Sequence, residues 1–130
     1  VNAVAGRWLA WTTRLIGWLL LLLVGVLSLI NLAEAPVDDV LWDKLNHAIA
    51  YAAIAGWWAA LLPGRRWKAA AVALVFGLMM EGVQGVLPYR AFEWADMLAN
   101  GVGVLLGLLL SLWWLPRGFA GWWSARSQGA

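Results

Sequence analysis

Charge in this 130-residue chain is confined to a few narrow belts. Arg14 and Glu34 enclose 19 uncharged residues, Lys44 and Arg65 enclose 20, and Asp96 and Arg117 enclose 20. Lys68 and Arg90 enclose 21 residues whose only charge is Glu81. A helix of about 20 apolar residues covers the hydrocarbon core of a bilayer. The pattern therefore predicts an all-α membrane protein: a bundle of four transmembrane helices with short loops, spanning about 15–33, 44–62, 68–87 and 96–115. With 64% hydrophobic and 12% charged residues, the chain lacks the charged surface of a soluble domain. It carries no repeat, linker or low-complexity stretch, and residues 1–130 read as one domain.

The first span exceeds the ~7–15 residues of a secretion-signal core, and Pro36 would follow the small-x-small stretch at Ala33 and Ala35 directly. A retained anchor is expected there. Cysteine is absent, which excludes disulfides and thiolate metal sites.

Orientation follows from the belts. Cytoplasmic flanks of membrane helices collect Lys and Arg. Arg7, Arg14, Arg65, Arg66, Lys68, Arg117 and Arg126 fall on one predicted side. Lys44 and Arg90 fall on the other, together with all seven acids. Both termini are expected in the cytoplasm and the acidic loops outside. This topology explains the net charge of +2 better than nucleic-acid binding does. Tryptophans support the boundaries, Trp42 and Trp94 outside and Trp57, Trp58, Trp67, Trp113 and Trp114 inside, because amphipathic rings favour the headgroup level. The stretches "AGRWLAWTTR" and residues 116–130, with Trp122 and Trp123, are expected along the inner surface or, for the tail, without fixed structure.

Polar residues gather towards the outer ends of three spans. Asp43, His47 and Tyr51 are spaced by four and share one helical stripe, which Lys44 borders. Glu81 and Gln84 are three apart, and Asp96 and Asn100 four apart. At ~1.5 Å per residue, Glu81 sits roughly 10 Å below Pro88, and His47 and Asn100 about 6 Å below Asp43 and Asp96. These depths agree to within a helical turn, so a common pocket under the outer surface is expected, with Arg90 in the loop above. A carboxylate at the centre of a membrane helix costs about 2.5–3.5 kcal/mol on insertion scales and faces the bundle interior. Glu81 must have a partner, and the second and fourth spans hold the candidates.

The stretches "DKLNHAIAY", Glu81-x-x-Gln84 and "PYRAFEWADMLANGVGVLLG" resemble the VanZ-like family of small bacterial membrane proteins. The family pattern D-K-x-x-H, E-x-x-Q, P-x-R with a following Asp, and N-x-x-G-x-x-x-G falls on Asp43, Lys44 and His47; on Glu81 and Gln84; on Pro88, Arg90 and Asp96; and on Asn100, Gly103 and Gly107. The resemblance covers roughly residues 38–110. It implies a place in the bacterial cytoplasmic (inner) membrane and an association with low-level teicoplanin resistance, without a settled reaction. Glu93 and the Trp-rich ends stand outside the pattern.

Three functions fit these residues. The first is an outward-facing pocket that binds, and in one version modifies, an amphiphile: a membrane lipid, a lipid-linked precursor or a lipoglycopeptide. Lys44 and Arg90 would hold phosphate or carboxylate, with Asp43, Gln84, Asp96 and Asn100 as further ligand-binding residues. Glu81 and His47 would be the candidate catalytic acid and base. No serine or cysteine nucleophile accompanies His47. The second is a metal site of His47, Glu81 and Asp96 or Asp43; no cofactor is required by the sequence, and a divalent ion is the alternative. The third is a non-enzymatic scaffold or accessory subunit whose polar residues form an interhelical network. Residue by residue, Asp43 and Asp96 also suit helix capping, Tyr51 and Met79–Met80 suit packing, and Arg90 suits a lipid phosphate or an ion pair with Glu93. Gly77, Gly82, Gly85, Gly101, Gly103 and Gly107 suit close helix approach.

Overall fold

The computed structural model describes residues 3–30 and 40–114. Glu34, Asp38 and Asp39 of the first outer loop, and the tail 116–130 with Arg117 and Arg126, lie outside the described residues. Four helices follow one another: α1 (Ala3–Leu29), α2 (Val40–Leu61), α3 (Arg66–Gln84) and α4 (Trp94–Trp114). Each of the last three begins two to four residues before the expected span and ends one to three before its predicted end. The larger departure is at α1. Residues 3–14 continue the helix without a break, so "AGRWLAWTTR" is the first part of α1 rather than a separate surface segment.

Side-chain contacts fix the order in space. Trp57 Nε1 donates to the Thr13 carbonyl at 3.0 Å, joining the start of α1 to the end of α2. Gln84 Nε2 donates to the Ser28 carbonyl at 2.8 Å, joining the ends of α3 and α1. Lys44 pairs with Asp96, joining the starts of α2 and α4. The helices therefore run up, down, up, down, and α2 and α4 lie parallel. Arg7, Arg14, Arg65, Arg66 and Lys68 share one end of the bundle; Asp43, Lys44, Glu81, Arg90, Glu93 and Asp96 share the other.

The α2–α4 contact is the most extensive of the structure. A Cβ built on Gly103 would meet the Ala48 carbonyl, and one on Gly107 would meet the Ala52 carbonyl and the Gly56 nitrogen. Ala48, Ala52 and Gly56 thus form a ridge of small residues at four-residue spacing that receives Gly103 and Gly107. Backbone meets backbone along this seam. At Gly77 a Cβ would stand 3.0 Å from both Asn100 Nδ2 and Tyr51 Cε1, so α3 also closes in without a side chain. Gly82 and Gly101 face open space. Their replacement by Ala is expected to be neutral or to stabilise by up to about 1 kcal/mol, since Gly weakens a helix interior. Thermal unfolding in detergent micelles checks this.

The distribution of polarity is inverted relative to a soluble protein. The buried core is small, built from Val24, Tyr51, Ile54, Ala55, Ala73 and Val104. Glu81, Gln84, Asp96, Asn100 and Ser111 are buried with it. Large apolar side chains point outward instead, among them Leu19, Leu22 and Leu23 on α1, Val75 on α3, and Leu105 and Leu110 on α4. Among the described residues, two stretches are long and apolar enough to cross a membrane, Gly6–Leu29 and Trp94–Trp113. The sequence reading expects four. The two that fall short have evident reasons: α2 is alanine-rich and carries Asp43 and Lys44, and α3 carries Arg66, Lys68 and Glu81.

Candidate functional site

Asp43 is the fourth residue of α2 and Asp96 the third of α4, so neither is an N-cap. Both lie inside the first turn, where the positive end of the helix dipole favours a carboxylate. There they converge on Lys44. Its Nζ lies 2.9 Å from Asp43 Oδ2 and 2.7 Å from Glu93 Oε2, and pairs with Asp96 Oδ1 as well. One ammonium has three donors, and three carboxylates take them.

A turn below, His47 and Asn100 meet, Nδ1 to Oδ1 at 2.9 Å. An amide oxygen only accepts, so Nδ1 carries the proton in this contact. Nε2 then turns to Asp96, whose Oδ2 is 3.6 Å away. Asp96 thus serves Lys44 with one oxygen and faces His47 with the other. Asp43, His47 and Asp96 each offer a ligand atom, and these atoms all lie within 4.8 Å of one another.

Glu81 approaches from α3 and is 1% exposed. Its Oε2 accepts the backbone N–H of Glu93 at 3.2 Å, which ties α3 to the loop before α4. Its Oε1 has no hydrogen-bond partner, and neither has Asn100 Nδ2, which is likewise buried. Asp96 and Arg90 lie near enough for their charges to act on Glu81, and Arg90 also acts on Asp43. Arg90 itself makes no ion pair among the described residues; Glu93, one of its two expected partners, goes to Lys44.

Of the residues singled out in the sequence, Asp43, Lys44, His47, Asp96 and Asn100 therefore form one connected cluster, with Glu81 and Arg90 beside it. Gln84 is turned elsewhere. Its amide nitrogen binds α1, and Tyr89 adds a second tie nearby, its hydroxyl donating to the Leu29 carbonyl at 2.9 Å. Gln84→Leu is expected to loosen α1 by roughly 1 kcal/mol, the usual scale of an interhelical hydrogen bond. Hydrogen exchange should rise near Ser28 without change in α2 and α4. Tyr51 packs, 2% exposed, against Phe76 with ring centroids 6.2 Å apart. Ser111 bonds the Leu108 carbonyl far down α4 and gives the cluster no nucleophile.

Sequence reasoning missed Glu93, which supplies a carboxylate to Lys44 and an N–H to Glu81. Its position three residues before Asp96, at the entrance to α4, was the available signal.

A protein-family model described as VanZ/LLP1 matches residues 48–115. Glu81, Gln84, Arg90, Asp96, Asn100, Gly103 and Gly107 fall inside the match, which begins one residue after His47. No curated protein and no solved structure matches the chain.

Proposed function

The chain belongs to the VanZ/LLP1 family, and from that premise we propose that it is a multi-pass protein of the bacterial cytoplasmic membrane whose outward-facing polar cluster binds the headgroup of an amphiphile. In this reading all four helices cross the bilayer, α2 and α3 included. The outward-pointing Leu, Val and Trp side chains support this, because such surface is stable against lipid and not against water. The five basic residues at the opposite end of the bundle support a cytoplasmic placement of that end and of both termini.

The observation that carries the reading is the pair of buried polar atoms left unpartnered, Glu81 Oε1 and Asn100 Nδ2. One accepts and the other donates. A buried polar group without a partner costs about 1–3 kcal/mol; a guest hydroxyl can donate to the carboxylate and accept from the amide, and a guest ammonium can donate to the carboxylate. Lys44 is saturated by carboxylates, so the task of holding phosphate or carboxylate passes to Arg90. The guest fitted by this set has an acidic group near hydroxyls or amines, at the head of a hydrophobic body. Lipids, lipid-linked precursors and lipoglycopeptides of the teicoplanin type share that chemistry. If the headgroup is also transferred or hydrolysed, Glu81 and His47 are the acid and base within reach.

Native mass spectrometry and lipid extraction of protein purified in mild detergent test the reading. The expected result is a retained amphiphile bearing phosphate or carboxylate, at least about tenfold depleted in Arg90→Gln and Glu81→Gln, the ~1.4 kcal/mol of a lost polar contact. Protein free of any amphiphile would overturn it. The scaffold reading is favoured by the internal satisfaction of Lys44, His47 and Gln84. It predicts a different outcome for Glu81→Gln: unchanged lipid content together with unchanged stability, since a glutamine oxygen still accepts the Glu93 N–H.

A further inference from the structure

Negative charge in the cluster exceeds what its own cations neutralise. Asp43, Glu81, Glu93 and Asp96 surround Lys44, Arg90 and a histidine whose Nδ1 proton is already given to Asn100. With the carboxyls ionised and His47 neutral, the formal sum is −2. A deficit of that size in a half-buried site calls for a divalent cation or for protons.

Geometry favours the cation. His47 donates Nδ1–H to an amide oxygen, the arrangement that fixes an imidazole tautomer and directs the other nitrogen's lone pair at a metal. That lone pair, on Nε2, faces Asp96 Oδ2 at 3.6 Å. Two ligands about 2.0–2.2 Å from a common tetrahedral ion stand roughly 3.4 Å apart. Asp43 completes the set within 4.8 Å, which small side-chain rotations would close. Lys44 is no obstacle on Asp96, because it uses Oδ1 and leaves Oδ2. Outside this set of three, Glu81 supplies a buried oxygen without a hydrogen-bond partner, close enough for Asp96 to act on its charge.

We propose that Asp43, His47 and Asp96 bind one divalent transition ion, Mn2+ or Zn2+, with Glu81 facing its open coordination positions. One nitrogen and two or three carboxylate oxygens suit these ions better than Cu(I) or an iron–sulfur cluster, which need sulfur. The inference deepens the headgroup reading and rests on it for the ion's use: a cation there is a contact for headgroup phosphate that Lys44 does not offer.

Protein purified in detergent, stripped with EDTA and dialysed against Mn2+ or Zn2+ is measured by inductively coupled plasma mass spectrometry, and by the loss of the free Mn2+ paramagnetic resonance signal on titration. About one ion per chain is expected in the wild type and in Gly82→Ala. Asp96→Asn and His47→Ala should bind at least about tenfold more weakly, and Asn100→Ala about 10–100-fold more weakly through the lost orientation of His47. Wild-type protein that takes up no ion overturns the proposal whether or not the variants fold, as does undiminished binding in Asp96→Asn and His47→Ala. Lipid extraction of the same samples keeps the two readings apart. Amphiphile without metal removes only the ion, and metal without amphiphile removes only the headgroup reading.

Discussion

Gly107→Leu is expected to reduce the yield of folded, monodisperse protein to near zero. A side chain at this position is aimed at backbone atoms, the Ala52 carbonyl and the Gly56 nitrogen. No rotamer change in a neighbour can make room, so α2 and α4 must separate along their length. Even the single methyl of Gly107→Ala is expected to cost about 1–3 kcal/mol, the scale of overpacking in a close-fitted interior. Gly103→Ala should behave alike, because the Ala48 carbonyl lies in the path of its Cβ. Helix propensity predicts the opposite sign for both substitutions. Gel filtration and circular dichroism of Gly107→Leu, with thermal melts of both alanine variants, decide between packing and propensity. A stabilised Gly107→Ala would mean that α2 and α4 do not touch as described.

Lys44→Met is the second large effect. Removing one partner of a buried ion pair leaves an uncompensated charge and costs about 3–5 kcal/mol. Here Asp96 is the buried partner, its side chain 7% exposed, whereas Asp43 and Glu93 are 40% and 51% exposed and their share is screened by solvent. A loss near the low end, about 3 kcal/mol, is expected. The double variant Lys44→Met/Asp96→Asn should recover part of it, because the stranded carboxylate is gone. Chemical or thermal unfolding in micelles gives both values. If the double variant is no more stable than Lys44→Met, the Lys44–Asp96 pair does not carry the energy assigned to it.

Much of this arrangement was readable from residue order. Charge-free stretches located α2, α3 and α4 to within four residues at each end. The spacing Asp43–His47 and Asp96–Asn100 placed both pairs on single helical stripes, and the parallel seam sets those stripes against each other. Other features had no signal to read. Arg7 and Arg14 read in the sequence as a membrane edge, but Lys and Arg are good helix formers, so α1 runs through them. Gln84 binds a main-chain carbonyl, and every residue has one, so Ser28 could not be distinguished as its partner. Glu93 pairs with Lys44 rather than Arg90 because of the path of the α3–α4 loop, which spacing along a helix cannot predict. The ridge of Ala48, Ala52 and Gly56 passed unnoticed because alanine is common in α2.

The four helices are unequally fastened. Between α2 and α4 the main chains are locked together, whereas α1 is held by single side-chain latches on its carbonyl groups, Gln84 of α3 and Tyr89 of the loop after it at one end and Trp57 of α2 at the other. Separation of the helices is therefore expected on the α1 flank before it reaches the α2–α4 spine. For the guest proposed above, sideways entry from the lipid would be expected along that flank, away from the spine.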